Sequence, residues 1–581
     1  MAKGEGLGIA LPPQTKPGKE SFDIRSGPLA RWLRELPAGN ISETTKQLYQ
    51  ALLDVNRHSH GWQRRYRFLE AIRGPLDGVQ RSLERRYSSQ SFPLPTKSQQ
   101  VANLAQRFHT EMAQGYLAAI DDMRAASFLF QDRRALKVMM HRAARSLNLS
   151  LLVAYQTYTQ QPPGIWQQLH RLYAFAEARD FHQDPIRDPL FGELPTSSIA
   201  RIYKQAALLA TTSPFSLRQG EATAIHQVLA RWSAHAKLLQ PQENGADAAL
   251  FVIHLDADEE PEYRAMDNRR CDATNCRLID THQMVHMLQE EVGFASGTSR
   301  VLTPELCKSL IHGWDSPPKR SEHRNQSGSA IEAVIGMPQI HALLAPSLQS
   351  AAAPERSHFE ARPLSGNERV GSANDVWNIY SGQGSTRQNP TVPRQPTSVQ
   401  QPPIQATPLH CQARDMSTGG LRLVLPDGQE GGMRVGELLA LRNGESQERW
   451  QLGQVRWLKR SGGQGLECGI QVLAPQMVPV IVTNLTPGRV KGEGQRGLLL
   501  PADESVAQPA SLLTPSRLFT STDRVLLHTS GNDVEVILDE AIQANGTFVQ
   551  FEFHAGAEPA AAPPRSVKSD EQPYEKVWEI L

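Results

Sequence analysis

Apolar side chains recur every three to four residues from about residue 28 to 240. Val101, Leu104, Phe108 and Met112 form one stripe, Ile199, Ile202, Tyr203 and Ala206 a second, and Ile225, Val228, Leu229 and Trp232 a third. A period near 3.6 puts such positions on one face of a helix. Ser98 and Ser197 stand where N-caps are expected, and Pro162-Pro163, Pro195 and Pro214 punctuate the runs. This spacing predicts an all-α domain over residues 26–243, preceded by a disordered segment, 1–25.

The period changes after residue 243. Ala249 to Ile253 predicts a buried strand and Thr281 to Val292 a short helix, flanking a turn-rich stretch from Asp256 to Asn275. Together they predict a small α/β connector, 244–300. Thr303 to Gly313 predicts a helix with Pro304 in its first turn. Ala330 to Gly336 predicts a strand by its β-branched content, continued by Ile340 to Leu344. Residues 345–408 are dense in Pro, Ser, Gln and Gly, too poor in apolar residues to offset the entropy of ordering. They are expected to be a largely disordered insertion, with only Asp375 to Tyr380 strand-like.

Alternation returns at Leu421, Leu423 and Leu425. Glu437 to Arg442, Trp450 to Trp457 and Leu466 to Leu473 follow as strands, with Ser461-Gly462-Gly463 as one of the turns. Short strands at such spacing predict an antiparallel barrel built from 301–344 and 409–476. A further β-rich block spans 477–556, with Asn545-Gly546 as a hairpin signal beside alternating Val549, Phe551 and Phe553. A flexible tail, 557–581, ends a multidomain α+β chain.

The 581 residues carry 61 Lys plus Arg against 60 Asp plus Glu, so nothing global draws the chain to DNA, RNA or an anionic membrane. Any anion site must be local. No apolar run approaches the roughly 18 residues of a membrane span and the amino terminus lacks a signal-peptide core, which predicts a cytoplasmic protein. Five cysteines, odd in number and sparse, argue against a disulfide framework.

Arg64, Arg65, Arg67, Arg81, Arg85 and Arg86 are expected on a solvated helix face, and Asp256-Ala257-Asp258-Glu259-Glu260 in a solvated loop. Cys271, Cys276, His282 and His286 offer four zinc-type ligands, but the gap between Cys276 and His282 is shorter than zinc fingers use, so no metal is predicted. A P-loop, a GxGxxG after a strand and a nucleophile elbow are not recognisable, so no catalytic residue, cofactor or enzymatic activity is assigned.

Two short motifs carry chemistry. Arg320 and Arg324 stand four apart after Pro317 and Pro318. Asp415, Ser417, Gly419 and Gly420 lie in a turn entering the Leu421 strand. An arginine guanidinium is always charged, forks onto phosphate or the O6/N7 edge of guanine, and stacks on bases. A carboxylate accepts from the guanine N1-H and N2-H edge, a hydroxyl serves beside it, and glycines allow close approach.

RxxxR at Arg320 and Arg324, DxSxxG at Asp415, Ser417 and Gly420, the GGLRLVL strand and the late strand Leu466 to Val472 resemble the PilZ domain, a bacterial receptor module for cyclic di-GMP. The resemblance implies that Arg320, Arg324, Asp415, Ser417 and Gly420 contact that ligand. Lys319 and Gly419 are candidates for additional contacts, with Lys319 where the resemblance implies an influence on whether one or two ligand molecules are held. It further implies a signalling effector whose helical domain contacts a protein partner. The alternative is a scaffold whose barrel binds nothing. One departure is plain: Arg324 and Asp415 are 91 residues apart, a separation whose loop-closure cost grows only logarithmically.

Overall fold

The structure is a computed structural model that describes residues 7–125, 132–190, 194–293, 301–316, 325–344, 406–417, 419–426, 431–444, 449–460, 465–486, 494–502, 509–529 and 533–555. These fall into two compact units, one holding the described residues up to 316 and the other those from 325 onward. Asp375 to Tyr380, the turn at Ser461 to Gly463, and Lys319, Arg320 and Arg324 lie outside the described residues.

In the first unit α1 (Ser26–Glu35), α2 (Ile41–Arg57), α3 (Trp62–Ser88), α4 (Thr96–Ala125), α5 (Arg133–Gln156) and α6 (Ile165–Glu177) precede a paired β1 (Ile186–Arg187) and β2 (Thr196–Ser197), then α7 (Ile199–Thr211) and α8 (Glu221–Trp232). The stripe from Val101 to Met112 is buried, and α4 packs against α3 and α5. Each such side chain contributes roughly 1.5–3 kcal/mol. Ser198 rather than Ser197 caps α7, accepting from the Arg201 N-H at 3.2 Å, because β2 keeps the backbone extended through Ser197. Ser98 is likewise inside α4, not before it: the bond from Gln99 N to Pro95 O opens that helix.

The basic stretch is not uniformly solvated. Arg65 is fully buried and donates to the carbonyls of Val55 (2.8 Å) and His58 (2.9 Å) and to Gln14 Oε1 (2.9 Å). Its alkyl stem completes the apolar face while the guanidinium satisfies carbonyls at the end of α2. Nearby, buried Asp188 meets Arg73 (2.6 Å), Arg142 (3.0 Å) and Arg145 (2.7 Å). Burial raises the Asp188 carboxyl, but the three guanidiniums, Arg145 foremost, override it and hold the pKa well below the usual carboxylate range.

A four-stranded antiparallel sheet follows, in the order β3 (Lys237–Leu239), β6 (Cys276–Asp280), β4 (Phe251–His254) and β5 (Glu262–Tyr263). Beyond it come α9 (His282–Gly293) and α10 (Pro304–Asp315), the latter capped by Thr303. The acidic loop expected in solvent is docked on helices. Asp258 accepts from the N-H groups of Gly164 (2.5 Å) and Gln167 (3.0 Å) at the start of α6, and Glu260 accepts from Gln161 Nε2 at 2.7 Å. Cys271 and Cys276 are joined as a disulfide with Cα atoms 5.6 Å apart, against the sequence expectation. A turn in which Asp272 Oδ1 accepts from the N-H groups of Thr274 and Asn275 brings them together.

The second unit holds two antiparallel barrels. The first is formed by β8 (Ala330–Ile335), β9 (Leu409–Ser417), β10 (Gly420–Leu425), β11 (Leu438–Asn443), β12 (Gln451–Arg460) and β13 (Leu466–Ala474), in the order β10-β13-β12-β11-β8-β9. Pairing of β9 back to β10 closes the circuit, and short β7 (Asn325–Gln326) adds to β9. The second is a closed barrel of β14 (Val478–Asn484), β15 (Gln495–Leu500), β16 (Ser511–Pro515), β17 (Arg524–His528), β18 (Asp533–Ala544) and β19 (Phe548–Ala555).

The predicted strand continuation at Ile340 to Leu344 is instead part of helix α11 (Met337–Leu344). Gly336, at φ +87°, ends β8, and its carbonyl accepts from Ile340 N to start the helix. Met337 and Ile340 then share one helical face and pack into a core that also contains Leu438 and Leu452 of the first barrel and Leu498, Leu500, Leu513 and Phe548 of the second. So short an apolar run has no period of its own to distinguish helix from strand.

Candidate functional site

Leu421, Leu423 and Leu425 point into the first barrel, as the sequence predicts, so Gly420 and Arg422 face outward. On β9, Cys411 and Ala413 are buried. Strict alternation would send Asp415 and Ser417 inward as well. A register shift between Arg422 and Leu423 prevents this: Leu423 pairs with Ala413 but Arg422 with Asp415, leaving Arg414 as the extra residue. The bulge flips the phase and brings Asp415 and Ser417 to the outer face.

A second shift, in β12 between Val455 and Trp457, does the same on the other side. Trp457 becomes the partner of Gly469, which pairs with Arg422, which pairs with Asp415. One outer rung thus reads Asp415, Arg422, Gly469, Trp457 across four strands. The Trp457 ring occupies the space a side chain at Gly469 would fill, since a Cβ there would lie 1.9 Å from Nε1.

Arg422 organises the rung. Its guanidinium contacts Glu467 Oε2 at 2.6 Å and Asp415 Oδ2 at 4.0 Å, and its Cζ lies 6.0 Å from the Trp457 ring centroid. The Asp415 side chain keeps 19 % of its surface exposed and that of Arg422 36 %. Ser417 Oγ donates to Gly420 O at 3.2 Å and retains acceptor lone pairs. At Gly420 the demand for glycine comes from close approach, as a Cβ would sit 2.5 Å from Ile470 O. Gly419 O accepts from Val472 N at 3.0 Å, which seats the β9–β10 turn on β13.

The structure therefore brings Asp415, Ser417, Gly419 and Gly420 together. Sequence reasoning missed Arg422, Glu467, Gly469 and Trp457. The outward phase of the Leu421 strand was the available signal for Arg422, but the bulges that align the other rung members leave no mark in hydrophobicity.

Asn325, the residue after Arg324 in the chain, pairs with Met416, and Gln326 pairs with Asp415. Residues 325 and 326 thus lie beside a strand some 90 residues later in the chain.

Residues 250–479 match the family described as the middle PilZ domain of the cyclic-di-GMP receptor FimW, 27–243 match its N-terminal domain, and 480–555 its C-terminal β-barrel domain. The chain is a PilZ-domain protein. Over 617 aligned residues, and 99% of both chains, it is 27% identical to the Cyclic-di-GMP receptor FimW of Pseudomonas aeruginosa strain PAO1. No solved structure matches it.

Outside the PilZ barrel, the zinc-type quartet does not converge: Cys271 and Cys276 bond each other, His282 Nδ1 meets Asp280 at 2.9 Å, and His286 Nδ1 lies 3.5 Å from Glu290. His254, Glu262 and Asp267 gather closely, but His254 Nε2 contacts Asp267 at 3.0 Å and Arg269 pairs with both Glu262 and Asp267. A guanidinium already supplies the cation there. Among the described residues no helix is long and apolar enough to cross a membrane.

Proposed function

We propose that the chain is a cytoplasmic, non-catalytic effector that captures cyclic di-GMP on the outer face of its PilZ barrel. The observation that supports this reading is the pairing of β7, which begins at the residue after Arg324 in the sequence, with the strand holding Asp415. Similarity to a protein described as a cyclic-di-GMP receptor supports it.

Charge assigns the roles. Asp415 and Glu467 balance Arg422 and Lys459 on the described face, which leaves no surplus positive charge for a ligand bearing two phosphates. Lys319, Arg320 and Arg324 supply the missing positive charge and clamp the phosphates, while Asp415 and Ser417 take the donor edge of one guanine. Arg422 and Trp457 offer planar surfaces beside it.

Both arginines fall in segment 317–324, between α10 of the first unit and β7 of the second. Ligand capture by this segment gives the helical unit a means to gain or release a protein partner.

Titration of the full chain with cyclic di-GMP by calorimetry tests the proposal. Binding with strong salt dependence is expected, and Arg324→Ala is expected to abolish it while far-UV circular dichroism stays unchanged. A folded wild-type chain that shows no heat of binding at submillimolar ligand sinks the reading.

A further inference from the structure

Cys271 and Cys276 differ in what can reach them. Cys276 is fully buried at the start of β6, clustered with Ala249, Val252 and Leu278, whereas Cys271 packs against the edge of that cluster and stays partly exposed. An incoming thiolate therefore meets the Cys271 sulfur first. Cys307, Cys411 and Cys468 are buried. Burial pushes the Cys411 thiol up to about 11 and raises that of Cys468 as well, which keeps both protonated and unreactive.

The turn between the paired cysteines suits a thiol as well as a disulfide. Asp272 N donates to Asn275 Oδ1 at 2.8 Å, and Cys276 Sγ lies 3.4 Å from Asp272 O, so a reduced Cys276 finds an acceptor already in place. A bond between residues five apart in sequence also constrains the unfolded chain less than a longer loop would, which makes a permanent staple the weaker account.

What the bond pins is the end of the acidic loop. Arg269, two residues before Cys271, meets Glu259 at 2.6 Å and pairs with Glu262 and Asp267, while Asn275 Nδ2 donates to Arg270 O at 3.1 Å. Glu259 in turn stands between Asp258, which accepts from the N-H groups of Gly164 and Gln167, and Glu260, which accepts from Gln161. One ion pair thus separates the covalent link from the contact that starts α6.

We propose that Cys271 and Cys276 form a reversible thiol–disulfide switch that sets how firmly the acidic loop holds the start of α6. The reaction is exchange with a low-molecular-weight thiol such as glutathione. Its thiolate attacks Cys271 Sγ, the bond between the two cysteines breaks, and the electron pair leaves on Cys276 Sγ, which takes up a proton. A second glutathione thiolate attacks the glutathione sulfur of the mixed disulfide, releasing oxidised glutathione and a Cys271 thiolate that is protonated in turn. The protein gains two electrons and two protons, and two thiols become one disulfide. Oxidised glutathione drives the reverse. In the cytoplasmic setting proposed above the dithiol with a loosened loop is the resting form, and oxidation tightens the loop.

The test equilibrates the full chain in glutathione buffers of graded oxidised-to-reduced ratio. Alkylation with mass spectrometry reads the thiols, and hydrogen exchange is followed on the same samples. Cys271 and Cys276 are expected to change together in one two-electron transition while the other three cysteines stay reduced. The amides of Gly164 and Gln167 should exchange at least about fivefold faster in the reduced chain, with α7 unchanged. Cys271→Ser, at a partly exposed position, should exchange like the reduced wild type at every ratio. Asp258→Ala should exchange fast at the start of α6 whatever the redox state. The proposal is overturned if the pair stays oxidised in the most reducing buffer or reduced in the most oxidising one. It is also overturned if the start of α6 exchanges equally in both states, or if the redox response persists in Asp258→Ala.

Discussion

The two barrels of the second unit share strand number, antiparallel pairing and a common core, yet their described outer faces differ. In the C-terminal barrel, outward charges meet in local pairs such as Arg524 with Glu535, His528 with Asp533 and His554 with Asp539. In the PilZ barrel, bulges at Arg414 and Arg456 rotate Asp415 and Trp457 into one rung with Arg422. Fold alone therefore does not align this rung; two extra residues, each inserted in a strand, do.

The comparison breaks most severely at the shared core. Phe548 is fully buried in the cluster that includes α11 and both barrels, so Phe548→Ala is expected to cost about 3–5 kcal/mol. Urea unfolding should show both barrels shifting in a single transition; an unchanged PilZ transition would mean that they fold separately. Gly469→Val comes next, at about 1–3 kcal/mol, because its Cβ would strike the Trp457 ring. Cyclic di-GMP affinity, measured by calorimetry, should fall with it.

Acid sets the helical unit apart from the barrels. His141 and His170 are fully buried, and burial above all lowers them to about 3 and about 4 from an ordinary 6.5; for His141 neighbouring Arg142 adds to the effect. Both stay neutral in the fold while the unfolded chain takes up protons. Their contribution is thus complete above about pH 6.5 and is lost progressively as pH falls toward 4, at up to about 1.4 kcal/mol per pH unit for each. Hydrogen exchange at pH 7 and pH 5 should show α5 and α6 losing protection before β10 and β13. Equal losses would remove the distinction. The smallest effect is expected at Arg524→Ala, whose exposed pair with Glu535 is worth under about 1 kcal/mol in a thermal melt.

Much of this was legible in the sequence. The stripes through α4 and α7, the Leu421 strand and the DxSxxG turn rest on periodicity or on a local motif, and the structure has them where the residues indicate. The failures have a common cause, in that each depends on a partner distant along the chain. Arg65 is buried by the carbonyls of Val55 and His58, and Asp258 is docked by α6. Ile340 is helical because two barrels close over α11. Bulges are likewise settled by the neighbouring strand.

The contact of Asp258 with Gly164 and Gln167 bears on how this molecule divides. Helix α6 begins at a glycine without a side chain to cap it, and borrows its acceptor from a loop more than ninety residues later. The buried Tyr155 and His170 likewise find acceptors there, at Glu260 and at the Glu259 carbonyl. Excising the helices at residue 243 would strip α6 of its borrowed cap and strand two buried polar groups, so the smallest autonomous helical piece must carry the β3–β6 sheet with it.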